Sequence, residues 1–482
     1  MIIKGYAFSM LYGLLCLALA FICYKLGMPK KYSRKLVHIL VGFEWVILYH
    51  YFGAGLHFLS VCIFFTLLLI VTYKGSLLPM ISSEDDNSPG TVYYGVAMTG
   101  VAIVGCFVPE VMLPFGIGIF CTSVGDGMAG VVGQAIKKYN PKIYGNKTLF
   151  GSITNFVFSS LGALILSSLY GMEISLCECL MIGVLSAGVE LISKGGLDNI
   201  FITWTVTALA FSFMYFPAIT GYLLPILLTP FVIALVVKKN ALTRFGTYAA
   251  VIVDIVVSLA FGNLGFVVLI GFFGGSIIVD KLKKRTIKQG RADEAAKGDT
   301  RDAIQVLANG FVASACAVAF ILSEGNPIFA VGFVAAMAEA FADTAASGIG
   351  AFSKNTFDLF RWKKTGSGLS GGMSFIGTLA SLVAAIILPL IAMLMSRGAF
   401  NFKYVIIASV AAFLGTIFDS LLGSLFQVKY KCRVCSRLTE KHTHCDTETA
   451  YESGLKFVDN DVVNITSGFF ATVISIVLVL LL

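Results

Sequence analysis

The chain has 482 residues, of which 57% are hydrophobic and 13% charged, with a formal net charge of +8. So much apolar sequence exceeds what one buried core absorbs, which excludes a soluble protein. The basic residues sit in short loops between apolar runs, the positive-inside pattern of a membrane protein and not a nucleic-acid footprint.

The first apolar run, residues 6–26, is too long for a signal peptide, lacks a small-residue cleavage site and follows a single lysine, so it reads as a retained helix. Runs at 55–73, 153–170, 304–323 and 373–395 are each long enough to cross a ~30 Å hydrocarbon layer. About sixteen such segments are expected. The fold class is therefore all-α: a polytopic transmembrane helical bundle in two parallel-oriented halves. The basic loops 29–35, 137–147, 238–244, 281–301, 361–364 and 429–437 are placed in the cytoplasm, with the nearly charge-free connections outside. The protein is thus expected to be a multi-pass integral membrane protein whose motif loops face the cytoplasm.

The first polar motif, Arg34-Lys35-x-x-His38, opens a helix, with Arg34 and His38 one turn apart on a shared face. Two readings stand: a grip on phosphate or headgroup with His38 moving a proton, or plain positive-inside anchoring. Glu44 and Glu190 are intramembrane acids, and Glu190 is the stronger candidate because Asp198 and Asn199 follow it. Between them, Asp126 stands at the inner end of an apolar helix between Gly125 and Gly127. It reads either as a carboxylate holding Mg²⁺ on nucleotide phosphates, with glycines admitting close approach, or as small-residue packing with a cap. The following loop, Lys147-Thr148-x-x-Gly151-Ser152, leads into a helix whose free N–H groups favour an anion, with Lys147 adding charge; a turn with a snorkelling lysine is the other reading.

These features recur. Asp126-x-x-Ala129-x-x-x-Gly133 matches Asp343-x-x-Ala346-x-x-x-Gly350, and Glu339 shares a helix face with Asp343. A second basic, Gly-rich loop runs from Lys364 to Gly371, Gly372 and Ser374. The stretch from Gly90-Thr91 to Gly95 corresponds to residues 301–310 with Asn309, and Asp198-Asn199 to Asp461 with Asn464. The last pair is spaced more widely, so the second half carries an insertion. The boundary falls between 218 and 219, giving domains 1–218 and 219–482. The insertion is a cytoplasmic Cys/His loop at 429–446, in which Cys432, Cys435, His444 and Cys445 make a small zinc set; reduced thiols or a disulfide are the alternatives. Asp419 either joins Glu339 and Asp343 in a carboxylate site or packs against hydroxyl partners.

Residues ~30–200 resemble the CTP-dependent polyprenol kinases that include dolichol kinase and phytol kinase, on Arg34-Lys35-x-x-His38, Gly90-Thr91, Gly125-Asp126-Gly127, Lys147-Thr148-x-x-Gly151-Ser152 and Glu190 with Asp198-Asn199. Phe150 departs from that pattern, which often has an acidic residue just before the Gly-Ser. Residues ~240–482 resemble the membrane family that includes phytyl-phosphate kinase, on 302–310 with Asn309, Asp343, Gly371-Gly372-x-Ser374, Asp419 and Asp461 with Asn464. The resemblance implies a bifunctional salvage kinase that phosphorylates a prenol with CTP or another nucleoside triphosphate and then phosphorylates the monophosphate, with Mg²⁺ as cofactor. Its partners are then prenol and prenyl-phosphate lipids and a nucleotide. Asp126 and Asp343 are the expected metal carboxylates and Lys147 and Lys364 the phosphate contacts. A phospholipid cytidylyltransferase shares this layout but releases pyrophosphate, whereas a transporter places its polar groups near mid-bilayer.

Overall fold

The computed structural model describes residues 1–75, 89–136, 138–288, 300–353, 355–358, 360–361, 363–365, 370–396, 398–436 and 438–482, apart from the side chains at 217, 284–288, 364 and 365. The expected phosphate contact of Lys364, and most of the basic loop at 281–301, lie outside this set. The described chain is an all-α bundle with twelve helical stretches long and apolar enough to cross a membrane. One of them, Arg244–Lys283, is two helices joined at Gly262, whose φ of 55° and ψ of −135° break the helical path. A side chain is disfavoured at that φ, so glycine is the residue that permits the reversal.

The first helix shows why these elements need lipid. Ile2–Lys25 buries Gly5, Ser9, Gly13, Cys16 and Ala20 and exposes Leu11, Leu14, Leu15, Leu19 and Ile22. In water the large residues would turn inward; here the small ones do, because lipid solvates leucine and close helix approach rewards small side chains.

The chain divides into two compact units, Met1–Thr220 with Ile226–Lys238, and Gly221–Pro225 with Lys239–Leu482. The division passes through the helix Leu223–Lys238 rather than ahead of it. Each unit is built around a deeply buried helix that carries one of the repeated aspartates: Pro109–Ala135 in the first, Pro327–Gly350 in the second. An antiparallel two-stranded hairpin follows each, pairing Lys142–Tyr144 with Lys147–Thr148 and Thr356–Asp358 with Lys363–Thr365. A capped helix comes next: the Thr148 hydroxyl accepts from Gly151 N at the start of Leu149–Tyr170, and Ser374 accepts from Gly377 N at the start of Phe375–Met395.

Close backbone approach fixes the docking of these helices. A Cβ on Gly133 would lie 2.9 Å from Thr148 Oγ1, and one on Gly350 would lie 3.2 Å from Ser374 Oγ. Reciprocally, a Cβ on Gly151 would meet Ala129 O at 3.3 Å and one on Gly377 would meet Ala346 O at 2.9 Å. The sequence repeat is therefore a repeat of packing. The same constraint recurs where Leu149–Tyr170 meets Leu176–Ile192, since a Cβ on Gly183 would lie 2.7 Å from Phe156 O and closer still to Ser160. Gly183→Val is expected to cost about 1–3 kcal/mol through overpacking against an immovable carbonyl. Thermal unfolding in detergent checks it against Leu180→Val on the exposed face of the same helix; equal melting of the two variants would contradict this account.

Candidate active sites

In the first unit a cavity of about 990 Å³ runs from a polar end at Arg34, Lys35, Asp126 and Lys147 to apolar walls at Val41, Leu48, Val61, Phe65 and Leu69. Asp126 is 5% exposed and ends a π-helical segment, Cys121–Asp126, inside an otherwise α-helical run. Such segments interrupt the regular ladder and are frequent at functional sites. Lys35, from the helix Lys30–Val41, donates to Asp126 Oδ2 at 2.7 Å, and His38 Nε2 lies 3.7 Å from the same oxygen. The His38 Nε2 hydrogen goes to Thr122 O at 3.0 Å. Because a carbonyl only accepts, Nε2 carries a proton, so in the neutral imidazole Nδ1 keeps its lone pair.

Across the polar end, Lys147 donates to Glu190 Oε1 at 2.5 Å and to Asp198 Oδ2 at 3.2 Å. Burial works against its charge, but Glu190, Asp126 and Asp198 together outweigh burial and hold the ammonium above its ordinary range. Asn199 closes the ring by donating to Gly90 O and Gly196 O, each at 3.0 Å. Glu44 lies further in and accepts from Ser9 Oγ at 2.5 Å.

Arg34, Lys35, His38, Asp126, Lys147, Gly151, Glu190, Asp198 and Asn199 thus meet at one cavity. Gly125, Gly127 and Ser152 do not line it. Gly125 seats Ser159, and a Cβ on Gly127 would lie 2.5 Å from Ile39, so these glycines permit helix packing rather than ligand approach. Phe150, the departure noted above, donates its backbone N–H to Asn140 Oδ1 at 3.0 Å, and Asn140 Nδ2 donates to Gly133 O. Asn140 therefore ties hairpin, capped helix and aspartate helix together, a role that a lone Asn before a Pro does not announce in sequence.

In the second unit a cavity of about 790 Å³ is lined by Asn309, Asp343, Asp419, Asp461 and Asn464 together with the loop Gly371, Gly372 and Ser374. Lys283, Arg301 and Lys441 bring positive charge to it, with Arg301 donating to Asp280 at 3.0 Å. Asn460–Leu481 presents its N-terminus here, capped by Asp459. Asp419 Oδ2 accepts from Ser467 Oγ at 3.3 Å. Glu339 lies one turn deeper than Asp343, outside the cavity lining; it is 2% exposed and its Oε1 has no hydrogen-bond partner among the described residues. Glu440, Lys441 and Lys283 were not singled out from the sequence, because nothing local distinguishes them from ordinary loop charges.

The two units handle their acids differently. The first pairs Asp126, Glu190 and Asp198 with lysines; in the second, Glu339, Asp343 and Asp419 have no salt-bridge partner among the described residues. The hard carboxylate and amide oxygens lining the second cavity are of the donor type that suits Mg²⁺. At the Cys/His loop the Sγ atoms of Cys432, Cys435 and Cys445 and a ring nitrogen of His444 lie within 4.8 Å of one another.

Residues 227–472, half of the chain, match the family described as integral membrane protein DUF92. The chain belongs to the DUF92 family. That DUF92 segment contains every residue named above for the second cavity. An uncharacterized membrane protein of Synechocystis sp. is 29% identical over 43% of this chain and 82% of its own length. A phytol kinase of Synechocystis sp. is 29% identical over 36% of this chain and 75% of its own. The protein VTE6, chloroplastic, of Arabidopsis thaliana is 24% identical over 52% of this chain and 68% of its own. No solved structure matches.

Removing Lys147 would strand two acids. Lys147→Met is expected to destabilise this DUF92 protein by about 3 kcal/mol, the order found when one partner of a buried ion pair is deleted. Adding Glu190→Gln should recover part of that loss. A double-mutant cycle on thermal unfolding reads the coupling, and strictly additive effects would show that the pair seen here is not formed.

Proposed function

We propose that the protein is a bifunctional isoprenoid kinase: the first unit phosphorylates a prenol of the phytol, farnesol or geranylgeraniol type with CTP or another nucleoside triphosphate, and the second phosphorylates the monophosphate. The observation that carries this reading is that each unit joins buried carboxylates, lysine or arginine and a capped helix N-terminus at one end of a ligand-sized cavity. Phosphoryl transfer asks chiefly for positioning and charge neutralisation, which these groups provide. The phytol kinase relative supports the reaction class.

The difference between the cavities supports the order of the steps. An alcohol must lose a proton as it attacks, and the first cavity holds His38 with a free Nδ1 lone pair. A phosphate monoester is already ionised near neutral pH and needs cations, not a base. The second cavity fits that acceptor: no histidine lines it among the described residues, while Lys283, Arg301 and Lys441 do. In the first step the prenol oxygen bonds to the terminal phosphorus, the bridging P–O bond breaks, the nucleoside diphosphate leaves and the hydroxyl proton passes to His38. In the second step a phosphate oxygen of the monophosphate makes the same displacement. Mg²⁺, when bound, neutralises phosphate charge; Asp126 with Glu190 would hold it in the first unit, and Asp343 with Asp419 and Glu339 in the second.

The test is incubation of detergent-purified protein with Mg²⁺, CTP labelled in its terminal phosphate, and a prenol, followed by separation of the lipid products. Label should appear in a monophosphate and then in a diphosphate. Asp126→Asn and His38→Ala should lower the first phosphorylation by about a hundredfold or more, within the range of general-base loss, while sparing the second. Asp343→Asn should do the reverse. Retention of both activities by both aspartate variants would sink the assignment, and release of pyrophosphate would indicate cytidylyl transfer instead.

A further inference from the structure

The Cys/His loop does more than decorate the last connection of the second unit. Its strand Lys429–Lys431 pairs on one side with Leu438–Thr439 and on the other with Ala450–Ser453, forming a three-stranded sheet. Beyond it the hairpin Thr443–His444 with Thr447–Glu448 folds back, and Thr449 Oγ1 fastens its base by donating to Lys441 O and His442 O. Cys432 and Cys435 come from the turn after the first strand, His444 and Cys445 from the tip of the hairpin. All three thiols are free. Cys435 Sγ lies 3.5 Å and Cys445 Sγ 3.2 Å from His444 Nδ1, and Val434 N–H points at Cys432 Sγ from 3.4 Å, an orientation that stabilises a thiolate. Ser436, Cys445 and Asp446 all have φ between 51° and 58°, a left-handed backbone that a non-glycine residue adopts only where its surroundings hold it there. His442 is turned away against the Tyr430 ring at 4.6 Å and is not part of the cluster.

The segment between the two halves of this cluster reaches the second cavity. Glu440 Oε1 accepts from Ser370 N at 2.9 Å, and Glu440 and Lys441 both line the cavity. Ser370 directly precedes Gly371 and Gly372 in the loop that also carries Ser374. Gly371 has a φ of +86° and sits against Ser424, where a Cβ would lie 2.5 Å from the Ser424 nitrogen, so the loop is held between Ser424 on one side and Glu440 on the other.

We propose that Cys432, Cys435, His444 and Cys445 bind a structural zinc ion, and that this ion clasps Glu440 onto Ser370 and thereby sets the shape of the second cavity's phosphate loop. Three thiolates and one imidazole form a closed tetrahedral set with no open position, which makes the metal structural. A tetrahedral site with such Zn–S and Zn–N distances sets its ligand atoms roughly 3.6–3.8 Å apart, so only the longest of the present separations, at most 4.8 Å, need close by about 1 Å. Glu440 is a positioning residue, acting through the loop. The zinc site stands on its own geometry; only its effect on the second phosphorylation rests on the function proposed above.

The experiment uses full-length protein purified in detergent without chelator. Elemental analysis should find about one zinc per chain. Cys445→Ser should lose it, while His444→Cys, which keeps four ligands, and His442→Ala, which removes none, should retain it. Cobalt exchanged into the site should show thiolate-to-metal charge transfer and the intense d–d bands of a tetrahedral ion. In the two-step assay, Cys445→Ser should raise the nucleotide KM of the second phosphorylation about tenfold with kcat little changed and the first phosphorylation untouched, and His444→Cys should restore it. Glu440→Ala should reproduce that KM effect with zinc still bound. Metal-free wild-type protein with tetrahedral cobalt bands absent would overturn the site. Zinc bound but lost without change in the second step's KM would overturn the clasp. If no prenol is phosphorylated at all, the kinase reading fails, and the clasp is then read from proteolysis at 429–453: faster cleavage in both Cys445→Ser and Glu440→Ala supports it, and unchanged cleavage overturns it.

Discussion

A carboxylate carried into the apolar interior of a membrane protein must meet a cation or take up a proton, and most of the architecture around Asp126 and Asp343 follows from that demand. In the first unit the cation is built in. Lys35 reaches Asp126 from a neighbouring helix and Lys147 spans Glu190 and Asp198, so the polar end of the cavity is neutralised before any ligand arrives. In the second unit Asp343 and Asp419 line the cavity without a salt-bridge partner among the described residues, and Glu339 behind them keeps a buried carboxylate oxygen without a hydrogen bond. On the proposed reading the first unit exchanges lysine contacts for nucleotide and metal, whereas the second gains metal outright, so metal should stabilise the second unit more.

The glycines act upstream of this chemistry. Gly133 and Gly151, like Gly350 and Gly377, bring an aspartate helix and a capped helix so close that hydroxyl and backbone touch. That contact aims the capped N-terminus and the carboxylate at the same volume. A single added methyl would separate them by tenths of an ångström, enough to turn the capped N-terminus away from the carboxylate while leaving the bundle recognisable.

Much of this was legible in the sequence. Apolar run length placed the helices within a few residues, because a spanning helix is set by the thickness it must cross. The repeated Asp-Ala-Gly spacing located both cavities, and Arg34, Lys35, His38, Lys147, Glu190, Asp198 and Asn199 proved to share one of them. The glycines flanking Asp126 were legible as important but not as to purpose, since close approach to a ligand and close approach to Ile39 ask for the same residue. Glu440, Asn140 and Lys283 were illegible: Glu440 acts on Ser370, 70 positions away, Asn140 bridges Gly133 and Phe150 across a loop, and a lone polar residue has no periodicity to betray it. Nor does any residue pattern announce the π-helical segment before Asp126.

That segment sets the two units apart. The corresponding helix of the second unit, Pro327–Gly350, is α-helical throughout. A widened turn holds one more residue than an ordinary one and turns its carbonyls off the regular ladder. The Thr122 carbonyl that anchors His38 belongs to this widened turn. Removing one residue from 121–125 would straighten the helix, withdraw the carbonyl and free the imidazole to swing. One widened turn thus fixes a histidine at the first cavity, whereas no histidine lines the second among the described residues.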